Sequence, residues 1–393
     1  MSEWKNFCLG DVVEFNPAEK IVKGTLAKKI AMEKLQPFCR TVTGYEVEKY
    51  NGGVKFRNGD TIMARITPCL ENGKTARIDV LDDDEIGFGS TEYVVFRAKE
   101  NVTVPDFVYY LIRSEVVREP AIKSMVGTSG RQRVQTDYVR NIVINLPPLE
   151  TQKKIAVVLS ALDDKIELNN VINKNLEEQA QTIYKNMFVD NFNPAWKSGT
   201  LSDIVDVRDG THDSPKKVDD KFFLITSKHL LPFGVEISSA NTISEKDFNK
   251  INERSAVNKH DILLSMIGTV GIISFVIESD INFAIKNVGL IKTSEKPQYK
   301  YYLLSYLKSN FMRQYIERVL AGTTQKYISL AELRKIPVNF SDSQTLNEYN
   351  VRVEPIFLKI AANIQENQKL GEIRDLLLPR LMSGEIDVSA VEI

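Results

Sequence analysis

Long apolar runs are missing from this sequence. No stretch approaches the roughly 18 apolar residues that a membrane-spanning helix needs, and the opening Met1-Ser2-Glu3-Trp4-Lys5 lacks the apolar core of an export signal. A cytoplasmic protein without a membrane partner is expected. Cysteine is scarce too: Cys8, Cys39 and Cys69 are too few and too widely spaced for a disulfide framework or a CxxC metal knuckle, so all three are expected as small, buried or half-covered thiols. Of the three histidines, His212 precedes Asp213, but no clustered carboxylates with a catalytic lysine accompany them, which argues against a nuclease or metal site. An excess of positive charge is also lacking, since the net charge is −1. The charge is unevenly spread, however. Residues 194–341 carry 20 Lys+Arg against 16 Asp+Glu (+4), and residues 342–393 carry 5 against 9 (−4), so a polyanion would be met by the former.

What is present is a heptad rhythm. Ile155, Leu159, Leu162, Ile166, Leu176, Ala180, Ile183 and Met187 fall on alternating steps of four and three, the seam of a coiled coil. Asn169 and Asn173 interrupt it. A second seam, Val353, Ile356, Ile360, Asn363, Asn367, Leu370, Leu377 and Leu381, carries asparagines at the positions reached by adding 194. Pro147-Pro148 marks the start of the first helix. Pro355 and Pro379 predict a kink or late start, and a break, in the second.

The repeat extends beyond the helices. Trp4, Lys5, Leu9, Asp11 and Val13 recur as Trp196, Lys197, Leu201, Asp203 and Val205, a shift of 192, and Asp60–Ile66 resembles Asp261–Ile267, a shift of 201. Each half then has an apolar strand (92–97, 287–292), an amphipathic helix (Phe107 to Val117, Tyr302 to Phe311), a polar Gly-Thr-Gln loop and a final strand (141–146, 335–340). The predicted architecture is two tandem α/β globules, 1–147 and 191–341, each followed by a long helix, 148–190 and 342–383, with a tail at 384–393. Paired antiparallel about a pseudo-twofold axis, the helices would set Asn169 against Asn367 and Asn173 against Asn363, amide against amide, as a register lock. A rod of about 33 residues would be roughly 50 Å long, about one and a half turns of duplex DNA.

Catalytic motifs fail where tested. Gly73-Lys74-Thr75 lacks the glycine that a phosphate loop needs five residues earlier, where Pro68 stands. Asn16-Pro17 and Asn193-Pro194 lack the second proline of an amino-methyltransferase loop. The run Asp82–Glu85 is expected to fan out into solvent. No catalytic or metal-binding residue is assigned.

Surfaces suited to DNA are better represented. Thr128, Ser129, Arg131, Gln132 and Arg133 in one loop, and Thr323, Thr324, Gln325, Lys326 and Tyr327 in the other, put phosphate- and base-contacting side chains beside glycines. Arg65, and a basic stretch holding Arg208, Thr211, His212, Lys216 and Lys217, are further candidates, the stretch as a mobile contact loop.

Over nearly its full length the chain resembles the specificity subunit of type I restriction–modification systems. The resemblance rests on RDGTHDSPKK, HDILLSMIGTVG, GTTQKYISLAELRKIPV, NLPPLETQKKIAVVLSALDDKIELNN and LLLPRLMSGEIDV. It implies a non-catalytic protein whose two target-recognition domains each read half of a split, asymmetric site on double-stranded DNA, with the helices fixing the gap. It also implies two modification subunits bearing S-adenosylmethionine, and restriction and translocase subunits using ATP and Mg²⁺, with no cofactor on this chain. A protein-docking scaffold and a stand-alone DNA-modifying enzyme remain the alternatives on the residues alone.

Overall fold

The computed structural model describes residues 4–320, 322 and 326–392. The chain divides into two compact units, residues 1–168 with 366–393 and residues 169–365. Each unit therefore combines one α/β head with a segment of both long helices, Leu149–Lys185 and Ser343–Met382. The division cuts the helices because their apolar residues are buried against the heads as well as against each other. Ile155, Leu159, Leu378 and Leu381 belong to the core of the first unit, and Ala180, Tyr184, Tyr349, Val353 and Ile360 to that of the second.

In the first unit strands Val13–Phe15, Tyr93–Ala98, Thr61–Ala64 and Thr75–Arg77 lie side by side in that order, all antiparallel. A second sheet orders Glu46–Lys49, Leu26–Ile30, Gly87–Gly89 and Lys55–Phe56, with one parallel pairing, Lys29 opposite Phe88. Strand Lys5–Cys8 pairs with Val143–Leu146 just before the first long helix. The second unit repeats this plan. Its main sheet orders Val207–Asp209, Val288–Ile291, Ile262–Ser265 and Ile273–Phe275. Beside it stand the sheet Asn241–Ile243, Phe222–Ile225, Phe283–Ile285 and the pair Lys197–Thr200 with Pro337–Phe340.

Within each unit the two helix segments run antiparallel. In the first, Arg374 bonds Asp163 and Asn367 Nδ2 lies 3.5 Å from the Ile166 oxygen. In the second, Asn363 Nδ2 donates to Asn173 Oδ1 at 2.7 Å, and Tyr184 packs on Tyr349. Leucine or isoleucine opposite either amide would leave a polar group unpaired in the seam.

The heads are fastened to the helices by different chemistry. In the first unit Tyr110 donates to Asp163 Oδ2 at 2.7 Å, Arg374 to Asp163 Oδ1 at 2.5 Å and Arg113 to Asp375 at 2.7 Å, while Arg40 grips Glu167 at 2.6 Å. The second unit uses rings: Phe188 lies 4.7 Å from Tyr302 and 5.0 Å from Tyr349, and Tyr349 donates to Ser305 at 2.7 Å.

Four expectations are corrected. The second long helix starts at Ser343 and passes through Pro355 and Pro379, because both prolines lie on its exposed side, where water can serve the carbonyls of Val351 and Asp375 that they leave without a donor. Each amphipathic helix is two, Pro105–Arg113 with Glu115–Lys123 and Lys300–Leu307 with Asn310–Val319. In the second pair Ser309 starts the new helix by accepting the Met312 amide. Asp82 and Glu85 converge on Lys28 at 3.0 and 2.9 Å, compensating a largely buried ammonium. Cys39 is exposed beside Phe38, which keeps 40% of its surface open, while Arg40 turns inward onto Glu167.

Replacing Arg374 by Met leaves a buried carboxylate short of its countercharge. The first unit should lose about 3–5 kcal/mol in denaturant unfolding, and Asp163→Leu added to Arg374→Met should recover most of it. Asp342 precedes the second long helix. The Thr345 amide, the Thr345 hydroxyl and the Trp196 indole hold its carboxyl down to about 2. A depressed carboxyl contributes stability above its unfolded value, near 3.8, and loses it as pH falls through the folded value. The melting-temperature gap between wild type and Asp342→Ala should therefore be full above pH 4 and close toward pH 2.

Candidate nucleic-acid interface

Strand register gathers the candidate loops at one end of each main sheet. In the first unit Ala64 ends its strand opposite Tyr93, the start of its neighbour, so Arg65-Ile66-Thr67 and Glu92 leave the sheet together. The Gly127–Arg133 loop joins them: Ile66 bridges Arg133, Thr67 N donates to Gln132 O at 3.0 Å and Val134 N to Arg65 O at 2.9 Å. Val126 and Arg133 close a small hairpin whose tip bears Thr128, Ser129 and Arg131, all exposed. Gly127, at φ 133°, has no room for a side chain without crowding Arg131 O at 3.1 Å.

The second unit builds the same assembly. Ser265 ends its strand opposite Val288, so Met266-Ile267, Asn287 and, from the adjoining strand, Gly210-Thr211 emerge together. Ile267 bridges Tyr327, and Ile328 N donates to Met266 O at 3.0 Å. Lys326 is exposed and Tyr327 keeps 43% of its surface open. Thr323, Thr324 and Gln325 lie outside the described residues. Gly210 presses on backbone: a Cβ there would lie 2.2 Å from Ile285 O.

The candidate cations are not equally free to act. Arg133 forks onto Glu92, with bonds of 2.7 and 3.0 Å, whereas the Arg131 side chain makes no ion pair among the described residues. Arg65 donates to Val134 O at 3.3 Å. Arg208 is held by Asp206 at 2.6 Å. His212, read from the sequence as part of a mobile loop, is pinned at both ring nitrogens, Nδ1 at 2.8 Å from Asn287 Oδ1 and Nε2 at 3.1 Å from Asp209 Oδ2. Lys216 and Lys217 are exposed and pass toward the smaller sheet, where Val218 N donates to Thr242 O.

Sequence reasoning missed Asn287, Asp209 and Glu92, which set these positions. Only Asn287 left a local signal, as an asparagine just before a strand, a residue type tolerant of its φ of 54°. Also missed was a repeated anchor, Phe38 under Arg113 and Phe233 under Lys308, with the cation 5.8 and 4.2 Å from the ring centre. Among the described residues no group of three or more His, Cys, Asp or Glu could hold a metal ion, and no helix is long and apolar enough to cross a membrane.

Two copies of one α/β head, each with a loop cluster at one sheet end and each anchored to paired helices, define a tandem recognition-domain protein. A family model for the type I restriction modification DNA specificity domain matches the chain twice, at residues 1–178 and 193–349. The HindI specificity subunit of Haemophilus influenzae is 24% identical over 98% of this chain and all of the relative, and the MjaIX specificity subunit of Methanocaldococcus jannaschii is 27% identical over 72% and 70%. The crystal structure of a type I restriction-modification S subunit from M. genitalium shares the fold, with a TM-score of 0.53 at 15% identity over 97% and 96% of the chains. The chain belongs to the type I restriction–modification specificity family, as a non-catalytic subunit with two target-recognition domains.

With DNA as a partner of the complex, Arg131→Ala should weaken binding more than Arg133→Ala, because Arg133 must first leave Glu92. Filter-binding titrations of the assembled complex with either variant check this order.

Proposed function

We propose that residues 1–147 and 191–341 each read one half of a bipartite, asymmetric target on double-stranded DNA. The helices at 148–190 and 342–383 set the gap and dock two modification subunits. On this reading S-adenosylmethionine and the adenine-methylating site belong to those subunits, ATP and Mg²⁺ to restriction and translocase subunits, and this chain carries no cofactor. The complex works in the cytoplasm.

One observation carries the reading. The same sheet-end assembly is built twice in one chain from different residues: Arg65-Ile66-Thr67-Pro68 bridged to Arg133, and Met266-Ile267-Gly268-Thr269 bridged to Tyr327. Keeping the scaffold and varying its exposed side chains is what two readers of different sequences require. Arginine and glutamine can bond purine edges in two places, and hydroxyls and backbone amides serve phosphates.

Exchanging residues 1–147 for the corresponding domain of another family member tests it. Methylated-base mapping in cells that also carry the modification subunits should show one half of the target replaced, with the other half and the methylation chemistry unchanged. An unaltered target would contradict the proposal.

A further inference from the structure

In the second unit a cleft of about 390 Å³ opens between the Thr211–Pro215 loop and the helix Glu245–Ser255. It adjoins the sheet end from which Thr211 and His212 emerge. Lys250 and Arg254 stand four residues apart on this helix and so share one face. Both are exposed.

Arg254 is not a loose surface arginine. Its Nη2 donates to Asp209 Oδ1 at 2.5 Å and to the backbone oxygens of Asp209 and Gly210, each at 3.1 Å. Asp209 is buried and faces His212 with its other oxygen. The remaining nitrogens of Arg254, Nε and Nη1, make no hydrogen bond among the described residues, and 62% of the side chain is open to solvent. A guanidinium fastened through Nη2 keeps its charge in place and leaves Nε and Nη1, on different sides of the group, each able to donate a charge-assisted bond to an anion.

The neighbouring charges favour an anion there. Lys250 forms no ion pair among the described residues, and Lys286 reaches the hydroxyl of Ser214 on the opposite wall. Of the two nearby acids, Asp247 accepts from Ser244 Oγ at 2.7 Å, within its own helix cap, and Asp213 lies on the exposed loop. Lys216 and Lys217 follow it in the chain.

We infer that this cleft seats one phosphate of the DNA backbone, with Arg254, fastened by Asp209, as a fixed cationic donor and Lys250 as a second positive charge. The inference rests on DNA reading by this unit and adds to it a contact blind to sequence. It belongs to the second unit alone, because in the first the corresponding stretch, residues 50–54, forms no helix.

The test uses the complex of the full chain with its modification subunits, and DNA duplexes with and without the target, over a series of salt concentrations. Arg254→Ala weakens binding to both duplexes alike, by about tenfold. The slope of log affinity against log salt becomes shallower by roughly 0.9. Arg254→Lys restores the slope but not the full affinity, since one ammonium nitrogen cannot both hold Asp209 and reach the phosphate. Lys250→Ala, at an exposed position without an ion pair, also flattens the slope and guards against misfolding as the cause. Slopes equal to wild type in the Ala variants would overturn the inference. If inorganic phosphate still raised the wild-type melting temperature, that result would mark a free-anion site instead. A changed methylation target in Arg254→Ala would overturn it as well, by showing a base contact. Wild-type complex that shows no preference for target DNA would instead count against the reading of function.

Discussion

A carboxamide placed in the apolar seam between two helices must meet a partner or forfeit its bonds to water. Here Asn363 donates to Asn173 at 2.7 Å, 190 residues away in the chain. A slip of one heptad would set each amide against an aliphatic side chain and cost more than the displaced apolar contacts could return. Everything else in each unit is referred to this seam, because the core of each head is closed by residues of both helix segments, not by the head alone.

The two heads meet that requirement differently. The first uses charge, with Asp163 compensated by Arg374 and Tyr110, and Asp375 by Arg113. The second uses rings packed edge to face around Phe188. Burying the first set without its partners would be costly, and the second set offers it no countercharge. Each head therefore fits its own helix segments, although the folds are repeats of one another.

Much of this was legible in the sequence because it is periodic. The seam, the recurring asparagines and the drift of the repeat from 192 to 201 follow from spacing alone, and they locate the strands at 61–64 and 262–265 within their expected ranges. What spacing cannot show is pairing between distant charges. Nothing near Arg133 or Arg208 in the sequence marks Glu92 or Asp206 as the acids that hold them. Asp163 and Arg374 lie 211 residues apart, and Arg374 falls on the second seam, between Leu370 and Leu377. The late start at Pro355 and the break at Pro379 failed for the opposite reason. Their local rule is sound, but it is relaxed where the helix faces water, as at Pro355 and Pro379.

The central claim is that the paired helices mark the distance between two separately read sequences. Lengthening both helices by one heptad, between Asn169 and Asn173 and between Asn363 and Asn367, tests it most directly when the methylated sites are mapped in cells carrying the partner subunits. About 10 Å of added helix predicts the same two half-sites separated by a gap about three base pairs longer. An unchanged gap, or altered bases within either half-site, would contradict the account.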